Sequence, residues 1–404
     1  MMRGERWSIA ALISAAIAIS YFDRQTLPVA IQAIQREIPI SNTQFSQLQA
    51  AFLTAYAIMY AGGGKLVDLM GTRSGFLVIM IWWSLACASH GLAAGFGMLL
   101  ASRFLLGMGE GGGFPAATKA LSEWFPATER AMAMGMVNAG TAVGAVFAPP
   151  AIAYIIAVLN WRWVFFLAGA VGLVWAVWWW KSYYVPDAIA GERAEGQKIP
   201  WLHLLGYRQV WGLVFAKFLS DAAWYFYLFW LPKYLYDARG FDTKRVGYYA
   251  WIPYAASGLG SLCGGWLSSR MLKSGASLNS ARKVAMGLSA AMMPVAFFVT
   301  RTPVELAIVL FSIAFFGQQS WSTLVMTLPA DLFPRNAVGS VAGLVGFGGA
   351  MGGVVFGLVV GYLLDHGFGY ETVFAIVSTL HVLAFGVVLA TVPKVRLLVE
   401  ENVT

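Results

Sequence analysis

The chain has 404 residues, 59% of them hydrophobic and only 11% charged, with a formal net charge of +8. A globular domain carries about 25% charged residues, so this composition cannot cover a water-facing surface, and lipid must be the main solvent. The Lys and Arg sit in short connectors between apolar runs, where they orient a chain in a bilayer, which argues against nucleic-acid binding.

A short basic start (Arg3, Arg6) before an apolar run imitates a signal peptide. The run continues through Asp23-Arg24 without a cleavage site, however, and reads as a first membrane span. Apolar stretches of about 20 residues predict spans at 7–32, 42–63, 75–96, 98–121, 131–157 and 161–183. Residues 184–208 form the longest polar stretch, and six more spans follow at 209–236, 244–269, 282–300, 304–328, 338–364 and 370–394. The expected fold is an all-α membrane protein of twelve helices in two six-helix bundles, 1–183 and 209–404, joined by a cytoplasmic linker over 184–208. Most of the 27 Lys and Arg fall on the side of the two termini, which places both termini in the cytoplasm. A repeat supports the division: Glu123-Trp124-Phe125-Pro126 recurs as Asp331-Leu332-Phe333-Pro334, and Val164-Phe165 as Val373-Phe374.

Six charges fall at membrane depth: Asp23, Arg24, Arg103, Glu110, Lys217 and Asp221. Each costs at least about 2.5 kcal/mol to insert and must face a cavity or a partner. Asp23 and Arg24 are about 100° apart on a helix and cannot address one partner in the same way. Arg103 and Glu110 share a face but lie about 10 Å apart along the axis, so each needs a partner elsewhere. Lys217 and Asp221, four residues apart, can pair directly. Cys87 and Cys263 lie in apolar runs with no Cys or His at metal-ligand spacing, which predicts two buried thiols and no metal. Gly107, Gly109 and Gly112 fit G-x-G-x-x-G but follow no strand, and serve close helix approach. Gly64-Lys65-Leu66 lacks the Ser or Thr of a phosphate loop. No cofactor is expected. The chain has no catalytic constellation of an enzyme and no continuous polar pore of a channel.

The segment Gly64-Lys-Leu-Val-Asp68-Leu-Met-Gly71-Thr-Arg73 resembles the signature of major facilitator transporters, departing from it at Leu69. A degraded copy reads Gly265-Trp-Leu-Ser-Ser-Arg270. Tyr21-Phe22-Asp23-Arg24, Tyr56, Ser102-Arg103, Gly109-Glu110-Gly111-Gly112-Gly113-Phe114-Pro115 and Ser122-Glu123-Trp124-Phe125-Pro126 are similar to the anion:cation symporter branch, which includes bacterial hexuronate and galactonate transporters. Phe218-Leu219-Ser220-Asp221-Ala222-Ala223-Trp224, Trp230-Leu231-Pro232 and Gly240-Phe241 resemble hexuronate transporters in particular.

The resemblance implies that Asp23 and Glu110 are protonation sites tuned by Arg103, and that Arg24 grips a substrate carboxylate. It also implies gating roles for Asp68, Arg73, Lys217 and Asp221. Tyr21, Tyr56, Thr141, Trp224, Tyr225, Gln318, Gln319, Trp321 and Ser322 are expected to contact the substrate, whose hydroxyls call for polar and aromatic groups. Thr141 and Phe347 stand where galactonate relatives have Gln and Asn. The implied function is proton-coupled import of sugar-acid anions by alternating access. Hexuronates (glucuronate, galacturonate) come first, and aldonates such as galactonate or another organic anion are the alternative. The implied setting is a monomer in a bacterial inner membrane.

Overall fold

The computed structural model describes residues 3–125, 127–184, 204–333 and 335–398. Most of the predicted linker, residues 185–203, lies outside them. The described residues contain no strand. In chain order the helices are α1 (Arg3–Gln35), α2 (Asn42–Met70), α3 (Thr72–Ser89), α4 (Phe96–Glu110), α5 (Gly113–Trp124), α6 (Ala127–Val158) and α7 (Trp161–Ser182). They continue as α8 (Arg208–Arg239), α9 (Thr243–Tyr249), α10 (Trp251–Lys273), α11 (Leu278–Ala291), α12 (Val304–Leu332), α13 (Arg335–Asp365) and α14 (Gly369–Thr391). Short 3₁₀ turns at His90–Leu92 and Met293–Arg301 extend α3 and α11. Side-chain caps start several of them: Ser41 forms a capping box with Gln44 before α2, and Asn160 accepts from Arg162 N before α7.

Three predicted spans are broken, each next to a proline. The span predicted at 98–121 divides into α4 and α5, because Pro115 cannot donate to the carbonyl of residue 111 and its ring would clash there. The span at 244–269 divides at Ala250, three residues before Pro253, into α9 and α10. The span at 282–300 is α-helical to Ala291 and 3₁₀ from Met293, beside Pro294. Only Cys87 is a buried thiol; Cys263 is exposed. That corrects the sequence expectation: an apolar run that faces lipid needs no burial in protein.

Among the described residues seven stretches are long and apolar enough to cross a membrane, on α3, α6, α7, α11 with its 3₁₀ turn, α12, α13 and α14. Helices α1, α4 and α8 fall short of that measure and carry the buried charges Asp23, Arg24, Arg103, Glu110, Lys217 and Asp221. Their polarity faces protein.

The chain divides into two compact units, Met1–Ala194 with Leu228–Trp251, and Glu195–Tyr227 with Ile252–Thr404. The first therefore includes the second half of α8: Gln25 Nε2 donates to Leu228 O at 3.0 Å, and Tyr236 Oη donates to Val29 O at 2.6 Å. The two units repeat one packing scheme. A Cβ on Gly144 of α6 would lie 2.1 Å from Ala18 O of α1, and one on Gly352 of α13 would lie 1.9 Å from Phe218 O of α8. Likewise Gly107 of α4 meets Phe52 O of α2, as Gly260 of α10 meets Phe316 O of α12. Small residues here let backbones touch, which drives helix association where lipid supplies no hydrophobic force. The repeated acids also act alike. Glu123 accepts from Thr72 Oγ1 (2.6 Å) and Tyr183 Oη, and Asp331 pairs with Arg282 (2.7 Å), which in turn donates to Ser268 Oγ.

Gly107→Ala is expected to lower the melting temperature in detergent, by about 1–3 kcal/mol of overpacking. Gly135→Ala, which meets nothing within 4 Å, should leave it unchanged. Beyond the end of α1, the Arg162 guanidinium hydrogen-bonds Glu37 and holds its carboxyl below the ordinary value of 4.5. The resulting stability is present above that value and lost as pH falls through the depressed one. Glu37→Gln should therefore melt slightly below wild type at neutral pH, by less than about 1 kcal/mol for so exposed a pair. It should match wild type in acid, and a deficit that grew on acidification would contradict this.

Candidate functional site

The first unit buries a cluster of charges on α1 and α4, besides Lys233 of α8, which pairs with Asp237 at 2.7 Å. On α1, Ser20, Asp23, Arg24, Gln25 and Thr26 are all buried, with Asp23 0% and Arg24 1% exposed. Pro28 has no N–H for the carbonyl of Arg24, four residues back, so α1 lacks one backbone hydrogen bond where its charges lie. On α4, Ser102, Arg103 and Glu110 are buried. Arg24 Nε donates to Glu110 Oε2 at 2.8 Å, and Ser20 Oγ donates to the same oxygen at 2.6 Å. Ser20 and Arg24, one turn apart on α1, thus grip one carboxylate oxygen from across the bundle.

Aromatic rings wall in the guanidinium. Its Cζ lies 4.5 Å from the Tyr21 ring centroid, 4.6 Å from that of Tyr56 and 5.4 Å from that of Phe52. Phe52 is shared, because Arg103 Cζ lies 5.7 Å from it. A cation over a ring face gains from about 0.5 to 2 kcal/mol, most when desolvated, so the cage partly replaces the water that Arg24 has lost. Phe52 is also the residue whose carbonyl touches Gly107, which fixes the ring between the two arginines.

Asp23 and Arg103 differ from this pair. Neither Asp23 oxygen and none of the three Arg103 nitrogens has a hydrogen-bond partner, although both side chains are fully buried. The Cys87 thiol of α3 lies beside the Asp23 carboxyl.

The second unit has a separate buried polar group. Lys217 Nζ donates to Asp221 Oδ1 at 2.8 Å and to Ser322 Oγ at 2.9 Å, so the i, i+4 pair expected on α8 forms and extends to α12. A Cβ on Gly349 of α13 would lie 2.2 Å from Asp221 Oδ2. Gln318 Oε1 hydrogen-bonds His381 Nε2 of α14, and His381 meets the edge of Trp321 at 5.8 Å.

Of the residues singled out in the sequence, Tyr21, Arg24, Tyr56 and Glu110 are in direct contact. Asp23 and Arg103 lie beside them, and Lys217, Asp221 and Ser322 assemble in the second unit. Gln318 is buried with His381, and Gln319 is partly buried beside it. Trp224 and Tyr225 are buried, Trp224 meeting Phe315 at 5.9 Å. Thr141 is not brought to the charge cluster: its hydroxyl bonds Asn138 O of its own helix. Arg73 donates to Trp180 O and stacks over that ring at 4.1 Å, while the Asp68 side chain lies outside the described residues. Ser20, Phe52, His90 and His381 were not singled out, and Cys87 only as a buried thiol. Helical spacing could have found two of them, Ser20 four residues before Arg24 and Phe52 four before Tyr56.

Removing one partner of a buried pair strands the other charge, at about 3–5 kcal/mol. Arg24→Ala and Glu110→Ala should each destabilise the purified protein strongly, and the double variant by much less than their sum. Additive losses in thermal unfolding would show the pair to be uncoupled.

The sequence matches the model of the Major Facilitator Superfamily over residues 13–355. It is 32% identical over 402 residues to the hexuronate transporter of Escherichia coli (strain K12), covering 95% of this chain and 93% of that protein. It is 32% identical over 283 residues to the galacturonate transporter of Dickeya chrysanthemi, covering 66% of this chain and 82% of that one. Among solved structures, a bacterial homolog of the human lysosomal transporter Spinster superposes with a TM-score of 0.78 at 16% identity, over 98% of both chains. With its repeated helix packing and its buried charges in the polar helices, this chain belongs to the Major Facilitator Superfamily of membrane transporters and is not an enzyme.

Proposed function

We propose that the protein is a proton-coupled symporter that imports sugar-acid anions, hexuronates such as glucuronate and galacturonate first. The observation that carries this reading is the caged Arg24–Glu110 pair, supported by the relatives named as hexuronate and galacturonate transporters. An arginine is always charged and binds a carboxylate through two parallel hydrogen bonds, which suits it to grip a sugar acid. In this structure Glu110 already occupies Arg24 Nε. Glu110 and an incoming carboxylate therefore compete for one guanidinium.

A proton resolves the competition. Protonated Glu110 no longer attracts Arg24, which is then released to the substrate; loss of the proton restores the pair and expels the anion. Binding of substrate and proton is thereby linked, as symport requires. Asp23, adjacent in sequence but turned about 100° away, supplies a second acid, and Arg103 is the fixed positive charge beside both. Lys217 and Asp221, paired within the second unit, keep the gating role that the family resemblance implies.

Charge arithmetic agrees with cotransport. Moving one anion inward against an inside-negative potential costs about 2.3 kcal/mol per 100 mV. One proton cancels that cost, and a second makes the potential drive uptake.

Uptake of labelled glucuronate into proteoliposomes should rise when an inward proton gradient is imposed. Arg24→Ala should abolish it, and Glu110→Gln should permit glucuronate exchange while losing stimulation by the gradient. Wild-type protein that accumulates neither glucuronate, galacturonate nor galactonate would overturn the sugar-acid assignment.

A further inference from the structure

The second unit holds a buried histidine that the transport scheme leaves without a task. His381 of α14 and Gln318 of α12 are both 0% exposed. The His381 ring meets the edge of Trp321, one turn past Gln318, at 5.8 Å, and its Nε2 hydrogen-bonds Gln318 Oε1. A carbonyl oxygen only accepts, so Nε2 carries the proton and the ring is the donor.

Taking up Oε1 decides which way the rest of the amide faces. Gln318 Nε2 is buried with no hydrogen-bond partner of its own, and the carboxyl beside it is that of Asp221. The register of the helices agrees. Lys217 Nζ of α8 donates to Ser322 Oγ of α12 at 2.9 Å. As the seventh and tenth spans of the chain, α8 and α12 run in opposite directions, so one turn forward from Lys217 is level with one turn back from Ser322. Those positions are Asp221 and Gln318.

Turning the amide over would set Oε1 against the Asp221 carboxylate, two acceptors with no proton between them, and set its N–H against the N–H of the ring. The amide therefore has one favourable orientation, and the imidazole supplies the donor that fixes it. Asp221 Oδ1 in turn accepts from Lys217 Nζ at 2.8 Å. A Cβ on Gly349 would lie 2.2 Å from Asp221 Oδ2, so the backbone of α13 closes off the far side of the carboxyl.

We infer that His381 is a positioning residue for the Lys217–Asp221 pair. By holding Gln318 Oε1 it keeps the amide N–H turned to Asp221, and so keeps the carboxylate in place to receive Lys217. Its effect on uptake rests on the gating role given to that pair above; its effect on stability does not.

Three variants at position 381 separate a donor from a filler. His381→Gln places an amide N–H near where Nε2 lies, His381→Asn places one near Nδ1, short of Gln318, and His381→Phe keeps a ring against Trp321 with no donor. Uptake is measured in proteoliposomes under an inward proton gradient, with whichever sugar acid the wild type accumulates. His381→Gln should stay within about twofold of the wild-type maximal rate, whereas His381→Asn and His381→Phe should lose about three- to tenfold, the worth of one hydrogen bond. Added to Gln318→Leu, neither should cost anything further. In thermal unfolding, His381→Phe and Asp221→Asn together should lower the melting temperature by clearly less than the sum of the single shifts.

Equal rates in the Gln and Asn variants would overturn the inference, as would a His381→Phe loss that persists undiminished on Gln318→Leu, because the ring would then act by packing or through another contact. Additive shifts in melting temperature would overturn it equally. A wild type that accumulates no sugar acid would sink the transport reading, and the unfolding cycle alone would then decide whether His381 positions the pair.

Discussion

A guanidinium and a carboxylate held at membrane depth are the constraint around which the first unit is organised. Neither Arg24 nor Glu110 can be left to lipid, and their 2.8 Å contact is possible only if α1 and α4 present them to each other inside the bundle. The rings of Tyr21, Phe52 and Tyr56 supply further stabilisation that water would otherwise give. Phe52 is held in turn by the contact of its carbonyl with Gly107, so the approach of α2 to α4 and the electrostatics of Arg24 depend on one another.

The two units share a scaffold and differ in chemistry. Glycines bring α1 to α6 and α8 to α13, and α2 to α4 and α10 to α12. Glu123 and Asp331 anchor equivalent helix ends. Yet α1 and α4 bury two carboxylates and two arginines, whereas the second unit's part of α8 buries one lysine paired with one aspartate, and Gln318 bonds His381 in the same unit. A buried pair of opposite charges closed within one helix is internally neutral. The first unit's group is not closed in this way, since Asp23 and Arg103 remain without hydrogen-bond partners. That openness makes it suited to exchanging protons and ligands.

Membrane character, the two related halves and six of the buried charges were legible in the sequence, because lipid admits few charges and each must have a reason to be there. Lys217–Asp221 was legible for the same reason and because four residues make one turn. Span interiors were less legible. Gly111–Gly112 and Pro115 break the fourth span, and hydropathy does not respond to a missing N–H.

What the sequence determined, then, is which side chains are compelled to find partners inside the bundle. Which partners they find was decided by tertiary structure, since Ser20, Arg24 and Glu110 meet across 86 to 90 residues of chain. The same is true of Phe52 between two arginines and of Cys87 beside Asp23. In sequence these are ordinary residues of apolar helices, and only the close packing of helices from distant parts of the chain brings them to the charges.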